Sequence, residues 1–249
     1  MPASALLIGA SAARIASLNL CADEYALLLA RPGELVSVTR LAHDRRETAL
    51  WKRARAIPAN RGALEDVVRH RPTAILTMGG TGRSTGLLAR RLGVRTIDLP
   101  SPTDIAGVER NFQTVASALG DAARARPWLE RIARLKAGRP RTRLDSIYVS
   151  GGGVSIGGWS PAAEWMALAG LRQRNLPSGK VTLETILTDP PAVMLRSDYR
   201  AGQMSLGQRW FDHPIVRRSP ARTLTTDGRA WTCAGPLMIA EIERLRSRL

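Results

Sequence analysis

Two segments of the 249-residue chain carry nearly the same sequence. LEDVVRHRPTAIL occupies residues 64–76, and LETILTDPPAVML occupies residues 183–195. Several positions exchange one aliphatic residue for another, and four are identical: Leu64/Leu183, Glu65/Glu184, Pro72/Pro191 and Leu76/Leu195. Each copy predicts a short amphipathic helix, then a proline, then an apolar strand. The repeat therefore predicts two similar lobes with a functional site between them.

A second pair of segments repeats in the same order along the chain. CADEYALLLA at residues 21–30 matches PAAEWMALAG at residues 161–170, with a glutamate at the same place in each. Apolar runs rich in β-branched residues, such as LVSVT at residues 35–39, alternate with helical patterns in both halves. Asp23 is the predicted N-cap of the first helix. This alternation predicts an α/β fold in which helices cover mostly parallel sheets.

The middle of the chain differs from both halves. Residues 103–136 predict two consecutive helices and no strand, and the second helix, at residues 122–136, is rich in Arg and Ala. We interpret that second helix as a stiff connector. The predicted organisation is an N-terminal Rossmann-like lobe at 14–119, a connecting helix at 120–140 and a C-terminal Rossmann-like lobe at 141–249, with the ligand cleft between the lobes.

The first residues have features of an export signal. Residues 1–13, MPASALLIGASAA, contain a short apolar run and the triplet Ala10-Ser11-Ala12, which has the A-x-A pattern found before a signal cleavage site. A basic n-region is missing, and the apolar run is short. We interpret this stretch as the remnant of a signal peptide, and an ordinary N-terminus is the alternative.

The chain is strongly basic. It has 37 Lys and Arg against 21 Asp and Glu, which gives a formal net charge of +16. Such a surplus is typical of proteins that bind anionic partners. The basic residues are scattered rather than clustered, however, so we do not predict nucleic-acid binding. A steep salt dependence of DNA affinity would support that alternative.

Metal-site and enzyme motifs do not occur in the sequence. The chain has three His, no CxxC, no GxSxG, no HExxH and no dinucleotide fingerprint in the right context. We therefore predict no catalytic residues, no resident metal and no cofactor. The two cysteines, Cys21 and Cys233, lie near opposite ends, and they either form one disulfide or each face the site as thiols.

Glycine-rich turns and aromatic residues follow several predicted strands. In open α/β sheets, ligands bind beyond the carboxyl ends of the strands, so these turns are the candidate ligand contacts. The predicted ligand-binding residues are Asn19, Leu20, Cys21, His43, Gly79, Gly80, Thr81, Arg83, Gly153, Trp159, Tyr199 and Trp231.

Different chemistry is expected from different members of this set. Trp159, Tyr199 and Trp231 are candidates for a flat aromatic wall, although each could instead pack in the core. Arg83 follows MGGTG and could pair with a ligand carboxylate, although an Arg at a helix start is usually solvated. His43 could contact the metal of a bound chelate or could be an ordinary surface residue.

The order and spacing of these segments resemble the substrate-binding proteins of ATP-driven (ABC) importers for iron chelates and cobalamin. The segments that carry the resemblance are RIASLNLCADEYALLLA, LEDVVRHRPTAIL, GGWSPAAEWMALAGL, LETILTDPPAVML and WTCAGPL. The resemblance covers residues 14–249. It implies two lobes joined by a rigid helix, a periplasmic location, a monomer, and a cleft for cobalamin or a ferric siderophore, with haem as the alternative ligand.

The resemblance also gives the repeat a function. In proteins of this family, one acidic residue on each lobe docks onto arginines of the membrane permease, and Glu65 and Glu184 hold the matching positions. Two separated carboxylates can contact two permease subunits at once, and charge complementarity then fixes the orientation. The alternative is that each Glu only stabilises the first turn of its helix through the helix dipole, by about 0.3–1 kcal/mol.

Overall fold

The computed structural model describes residues 13–176, 178–199, 202 and 206–249. Apart from residue 13, the predicted signal remnant lies outside the described residues. The strands are β1 (Ile15–Ser17), β2 (Leu35–Thr39), β3 (Ala59–Asn60), β4 (Ala74–Met78), β5 (Arg95–Leu99), β6 (Leu144–Val149), β7 (Leu171–Gln173), β8 (Val193–Ser197) and β9 (Arg222–Thr226).

Twelve α-helices accompany these strands in the described part of the chain. They are α1 (Leu20–Leu29), α2 (Trp51–Ala54), α3 (Leu64–Val67), α4 (Arg83–Arg91), α5 (Ile105–Ala118), α6 (Arg126–Ala137), α7 (Pro161–Ala169), α8 (Leu183–Thr188), α9 (Leu206–Arg209), α10 (Pro214–Arg217), α11 (Gly228–Cys233) and α12 (Met238–Arg246). None of them is both long enough and apolar enough to cross a membrane.

The strands form two separate parallel sheets. The first has the order β3-β2-β1-β4-β5, and the second has the order β7-β6-β8-β9. β1 and β6 hold equivalent places, because each is the first strand of its lobe in the described chain and pairs with the next strand on one side and a later strand on the other. Helices cover the apolar faces of both sheets. This architecture confirms the predicted α/β fold with two β/α lobes.

The sequence repeat is also a structural repeat. In each copy a short helix, α3 or α8, leads into a strand, β4 or β8, that lies beside its lobe's central strand. Leu64 and Ile186 are buried and fix the two helices on their sheets, while the strands themselves are buried almost throughout. The proline between helix and strand cannot continue a helix, and it occupies the turn in both copies.

The first helix begins earlier than predicted. α1 starts at Leu20, because the Asn19 side chain accepts hydrogen bonds from the backbone N–H groups of Cys21 (2.9 Å) and Ala22 (3.3 Å). The assignment of Asp23 as the N-cap was therefore wrong. Asp23 lies inside the helix, is fully buried and bonds to β2 instead.

Helix α6 contacts both lobes. Just before it, the Arg124 guanidinium bonds to Glu34 of the N-terminal lobe (2.5 and 2.8 Å). Near its other end, Arg246 of α12 donates a 2.8 Å hydrogen bond to the Leu135 carbonyl. α5 packs beside α6 and also contacts α1 and α7, which belong to different lobes. The two helices therefore form a continuous support behind the lobes.

Candidate ligand cleft between the two lobes

The two sheets present their strand carboxyl ends to each other. Three cross-lobe contacts show this arrangement, and every residue in them lies in a segment that follows a strand. They are the Cys21–Cys233 disulfide, the Tyr199–Glu47 hydrogen bond and the Arg229–Arg45 hydrogen bond. The space between the lobes is therefore lined by the turns after the strands, which is where ligands bind in open α/β folds.

Cys21 and Cys233 form a disulfide bond. Their Cα atoms are 5.4 Å apart, and 212 residues separate them in the sequence. Cys21 lies in the first turn of α1, and Cys233 is the last residue of α11, so the bond joins the two lobes covalently. Of the alternatives the sequence left open, the disulfide is present, and neither sulfur is a free thiol that could bind a metal.

Two hydrogen bonds on the cleft side also join the lobes. The Tyr199 hydroxyl donates to Glu47 Oε2 at 2.8 Å. Arg229 donates to the Arg45 carbonyl at 2.8 Å, while Asp227 holds the same guanidinium through bonds of 2.8 and 2.6 Å. The sequence did not predict these contacts, because the residues that make them are 152 and 184 positions apart. The Asp-Gly-Arg sequence at residues 227–229 was the feature of the sequence that could have indicated the Arg229 contact.

Gly228 allows the segments that make these cross-lobe hydrogen bonds to pack closely together. A Cβ atom at Gly228 would overlap the Ser197 hydroxyl and the Tyr199 side chain. We expect Gly228→Ala to lower the free energy of unfolding by about 2 kcal/mol or more, because the overlap forces Tyr199 away from Glu47. Denaturant unfolding measures the change.

Gly86→Ala is the matched control for this substitution. Gly86 lies within α4, and nothing lies within 4 Å of the position its Cβ would take. This substitution should stabilise the helix by about 0.5–1 kcal/mol. If Gly228→Ala is as stable as the wild type, the tight packing at the junction is not required.

Glycines and a free arginine form the turn after β4. Gly80 has a φ of +113°, and no atom lies within 4 Å of the position of a Cβ there. Thr81 is held by a 2.6 Å bond between its hydroxyl and that of Thr77. Gly79, by contrast, would place a Cβ 2.9 Å from the Ser101 hydroxyl. Arg83 is exposed and makes no ion pair or hydrogen bond with the described residues, so its guanidinium is available to an anion.

Trp159 projects from the C-terminal lobe into solvent. Its side chain is 88% exposed, which excludes the alternative that it packs in the core. It lies between β6 and α7, and its ring stands beside Gly157, where a Cβ would be 3.2 Å from the ring. A large apolar side chain that is exposed in the segment after a strand is a candidate for ligand contact. Its contact with a ligand stays a prediction.

Two of the predicted contacts are interior residues of the C-terminal lobe. Trp231 was expected in a turn but lies in α11, where it is buried, donates from Nε1 to Thr226 (2.7 Å) and packs on Tyr148. Gly153 would place a Cβ 2.6 Å from the Val181 carbonyl, so it serves close packing within its own lobe. Both are corrections to the predicted cleft wall, because packing rather than ligand contact accounts for them.

The remaining candidates have structural partners as well. Leu20 is the first residue of α1 and is buried in the core, and Asn19 is occupied as the cap of that helix. His43 Nε2 lies 3.0 Å from the Ile57 carbonyl of its own lobe, which leaves only Nδ1 for a ligand. Their ligand contacts stay predictions. Among the described residues, no group of three or more His, Cys, Asp or Glu side chains is placed to hold a metal ion.

Two adjacent carboxyl groups are buried beside the disulfide. Burial raises the pKa of Asp23 from 3.8 to about 7, although hydrogen bonds from Thr39 and Ser17 oppose this shift. Burial also raises the pKa of Glu24 well above 4.5, and the neighbouring Asp23 charge adds to the effect. Neither oxygen of the Glu24 carboxyl has a hydrogen-bond partner among the described residues.

These carboxyl groups make stability depend on pH. Unfolded Asp23 ionises near its ordinary pKa of 3.8, whereas folded Asp23 holds its proton up to a pKa of about 7. The unfolded state thus binds fewer protons across this window, and the free energy of unfolding falls as pH rises through it. Asp23→Asn should remove up to about 4 kcal/mol of this loss, measured by denaturant unfolding at several pH values.

Asp66→Asn is the control for the pH experiment. The Arg61 guanidinium lowers the pKa of Asp66, so this carboxylate is already ionised in both states above pH 5. Its removal should leave the slope between pH 5 and 7 unchanged. A wild-type stability that rises over that interval, or a slope that Asp23→Asn does not reduce, contradicts the assignment.

Several solved structures that share this fold are binding proteins. The periplasmic haem-binding protein RhuT from Roseiflexus sp. RS-1 has a TM-score of 0.71 and 18% identity, covering 95% of this chain and 97% of that chain. The periplasmic haem-binding protein HutB of Vibrio cholerae has a TM-score of 0.71 and 18% identity, covering 96% and 99%. The siderophore-binding protein BauB, bound to ferric iron and two acinetobactin molecules, has a TM-score of 0.70 and 15% identity, covering 94% and 92%.

No family model and no curated protein sequence matches the chain. The likeness is therefore one of fold, and it extends over nearly the whole length of the chain and of each of these three structures. It confirms the fold expected from the resemblance to substrate-binding proteins of iron-chelate and cobalamin importers.

Proposed function

We propose that the chain binds a metal chelate in the cleft between its lobes and delivers it to an ABC importer in the periplasm. The ligand is a ferric siderophore, a cobalamin or a haem. The observation that carries this proposal is a pair of exposed groups in the segments that follow strands. Trp159, on one lobe, is 88% exposed. Arg83, on the other lobe, is exposed and makes no ion pair with the described residues.

The chemistry of these two groups suits a metal chelate. Such ligands combine a large, partly flat apolar surface with anionic or polar groups. An indole ring covers the apolar surface, and a guanidinium binds a carboxylate or phenolate through two parallel hydrogen bonds. The open backbone at Gly80 leaves room for a bulky ligand to approach the turn.

The structural relatives support the ligand class. Haem-binding proteins and a protein that binds a ferric siderophore share this fold. Binding needs only capture and release, which the cleft provides without any catalytic group. Several of these relatives are periplasmic, and the disulfide between Cys21 and Cys233 fits an oxidising compartment of that kind.

Delivery requires a docking surface, and Glu65 and Glu184 provide candidate contacts. Both side chains are exposed, one on each lobe, and neither makes an ion pair with the described residues. Asp66, next to Glu65, is instead neutralised by Arg61. Each free carboxylate can therefore accept an arginine of a permease subunit, and a monomer has one such group for each of two subunits.

A ligand titration tests the proposal. The purified protein is titrated with haemin, cyanocobalamin and a panel of ferric siderophores while tryptophan fluorescence and the visible spectrum of the ligand are followed. We expect one class of chelate in the panel to bind saturably and to remain chemically unchanged. If no chelate of the panel binds saturably, or if the ligand is chemically converted, the proposed function is wrong.

A further inference from the structure

The turn at residues 233–236, which connects α11 to α12, borders a space lined by oxygen atoms. Apart from Gly235 and its two chain neighbours, the three heavy atoms nearest to the position of a Cβ at Gly235 are all oxygens. They are Tyr25 Oη at 3.6 Å, Glu24 Oε2 at 3.7 Å and the Cys233 carbonyl oxygen at 3.7 Å. The first two belong to α1 of the N-terminal lobe, and the third belongs to the C-terminal lobe. We call these three atoms the junction oxygens.

The side chains that supply two of the junction oxygens are buried and have no partner. Glu24 is 1% exposed and Tyr25 is 0% exposed, and neither the carboxyl group nor the hydroxyl has a hydrogen-bond partner among the described residues. Asn111 of α5 adds another buried oxygen, Oδ1, without a partner. Burial raises the pKa of Tyr25, and the nearby Asn111 side chain opposes this rise. Polar groups buried in this way cost free energy unless something binds them.

The C-terminal lobe shows how the same helix positions look when the protein itself satisfies them. Glu164 and Trp165 of α7 match the glutamate and tyrosine of α1 in the sequence repeat. Glu164 Oε2 accepts a 2.7 Å hydrogen bond from the backbone N–H of Ile105, and Trp165 Nε1 donates a 2.9 Å hydrogen bond to the Ala234 carbonyl. Both positions are therefore occupied in one lobe, whereas in the other lobe they face the junction oxygens' common space.

We infer that the junction oxygens bind a small monovalent cation, sodium or potassium. Hard cations take oxygen ligands from carboxylates and carbonyls, and the space beside Gly235 offers both. Only one carboxylate faces it, because the adjacent acid, Asp23, bonds to Thr39 on β2. One negative charge matches a monovalent ion, whereas calcium sites usually contain several carboxylates.

A bound cation would remove the cost of burying Glu24. Burial favours the neutral form of this carboxyl, and no Lys or Arg of the described residues bonds to it, so a cation is the partner that lets it ionise. Because the ion contacts α1 and the carbonyl of residue 233, it joins the two lobes next to the disulfide. The site does not depend on the proposed chelate-binding function.

Thermal unfolding in different salts tests the inference. The wild type is melted in sodium, potassium or choline chloride at equal ionic strength, so that screening is constant. We expect one of the alkali cations to raise Tm saturably, by about 4 °C or more relative to choline. Glu24→Gln should abolish this difference. Glu164→Gln is the matched control and should keep it, because Glu164 already has a backbone partner.

Crystals of the wild type grown in the stabilising salt give a second measurement that needs no variant. We expect an ion beside Gly235 that contacts the Glu24 carboxyl and the Tyr25 hydroxyl. Rubidium in place of potassium is identified by anomalous scattering, and sodium by oxygen contacts shorter than those of a bound water. A water molecule or no atom at this place overturns the inference. So does a wild-type Tm that is equal in all three salts, whatever the chelate titration shows.

Discussion

Replacing both cysteines, Cys21→Ser together with Cys233→Ser, should lower the free energy of unfolding by about 2–5 kcal/mol. The disulfide joins residues 212 positions apart, so its loss releases almost the whole chain in the unfolded state. Because the bond also joins the lobes, its loss leaves only the hydrogen bonds at the cleft and the helices behind it to hold their spacing. Denaturant unfolding measures the stability, and small-angle scattering measures the separation of the lobes.

The single Cys→Ser variants and treatment with a reductant are the controls for this experiment. Either single Cys→Ser variant should match the double variant, because one free thiol cannot form the bond. Treating the wild type with a reductant should reproduce the same loss, whereas the double variant should not respond to it. A double variant with unchanged stability, or a wild type insensitive to a reductant, contradicts the cross-lobe disulfide.

Trp159→Ala should reduce the affinity for the best chelate of the panel by about thirtyfold or more. An exposed indole that becomes covered by a ligand is a typical centre of binding energy, worth about 2 kcal/mol or more. Because the side chain is 88% exposed in the free protein, its removal should leave the stability of the fold nearly unchanged. The ligand's visible spectrum measures affinity without relying on the tryptophan signal.

Trp159→Phe separates an aromatic wall from a general effect of the substitution. Phe keeps a flat apolar face at this position, so most of the affinity should return. Trp128→Phe is the matched control, since Trp128 stacks on Phe112 in the helices behind the lobes and has no part in the proposed cleft. Unchanged affinity in Trp159→Ala means that the ring is not part of the binding site.

Features set by local sequence were predicted well. β2 has the bounds that LVSVT indicated, and the repeated helix–proline–strand units form in both lobes, because hydrophobic periodicity and proline act over a few residues. The resemblance supplied the two-lobe arrangement. The exposure of Trp159 agrees with its position after paired glycines, although the sequence alone left a core position open.

Features set by distant partners were not predicted. Glu47 and Tyr199 are 152 residues apart, and the sequence around either residue does not indicate the hydrogen bond between them. Asp23 was misread because its partner, Thr39, lies on another element, while Asn19 took the cap. Trp231 was misread because the glycine and proline after it indicated a turn, whereas helix α11 ends only at Cys233.

Hydrogen exchange with and without saturating chelate tests the central claim, that the ligand lies between the lobes. We predict slower exchange at residues 78–83 and 151–160, the turns that carry Arg83 and Trp159 on opposite lobes. Protection confined to one lobe contradicts the account. So does protection that appears instead at the groove outside the N-terminal lobe, lined by Leu27, Leu35 and Ile57, with the cleft turns unchanged.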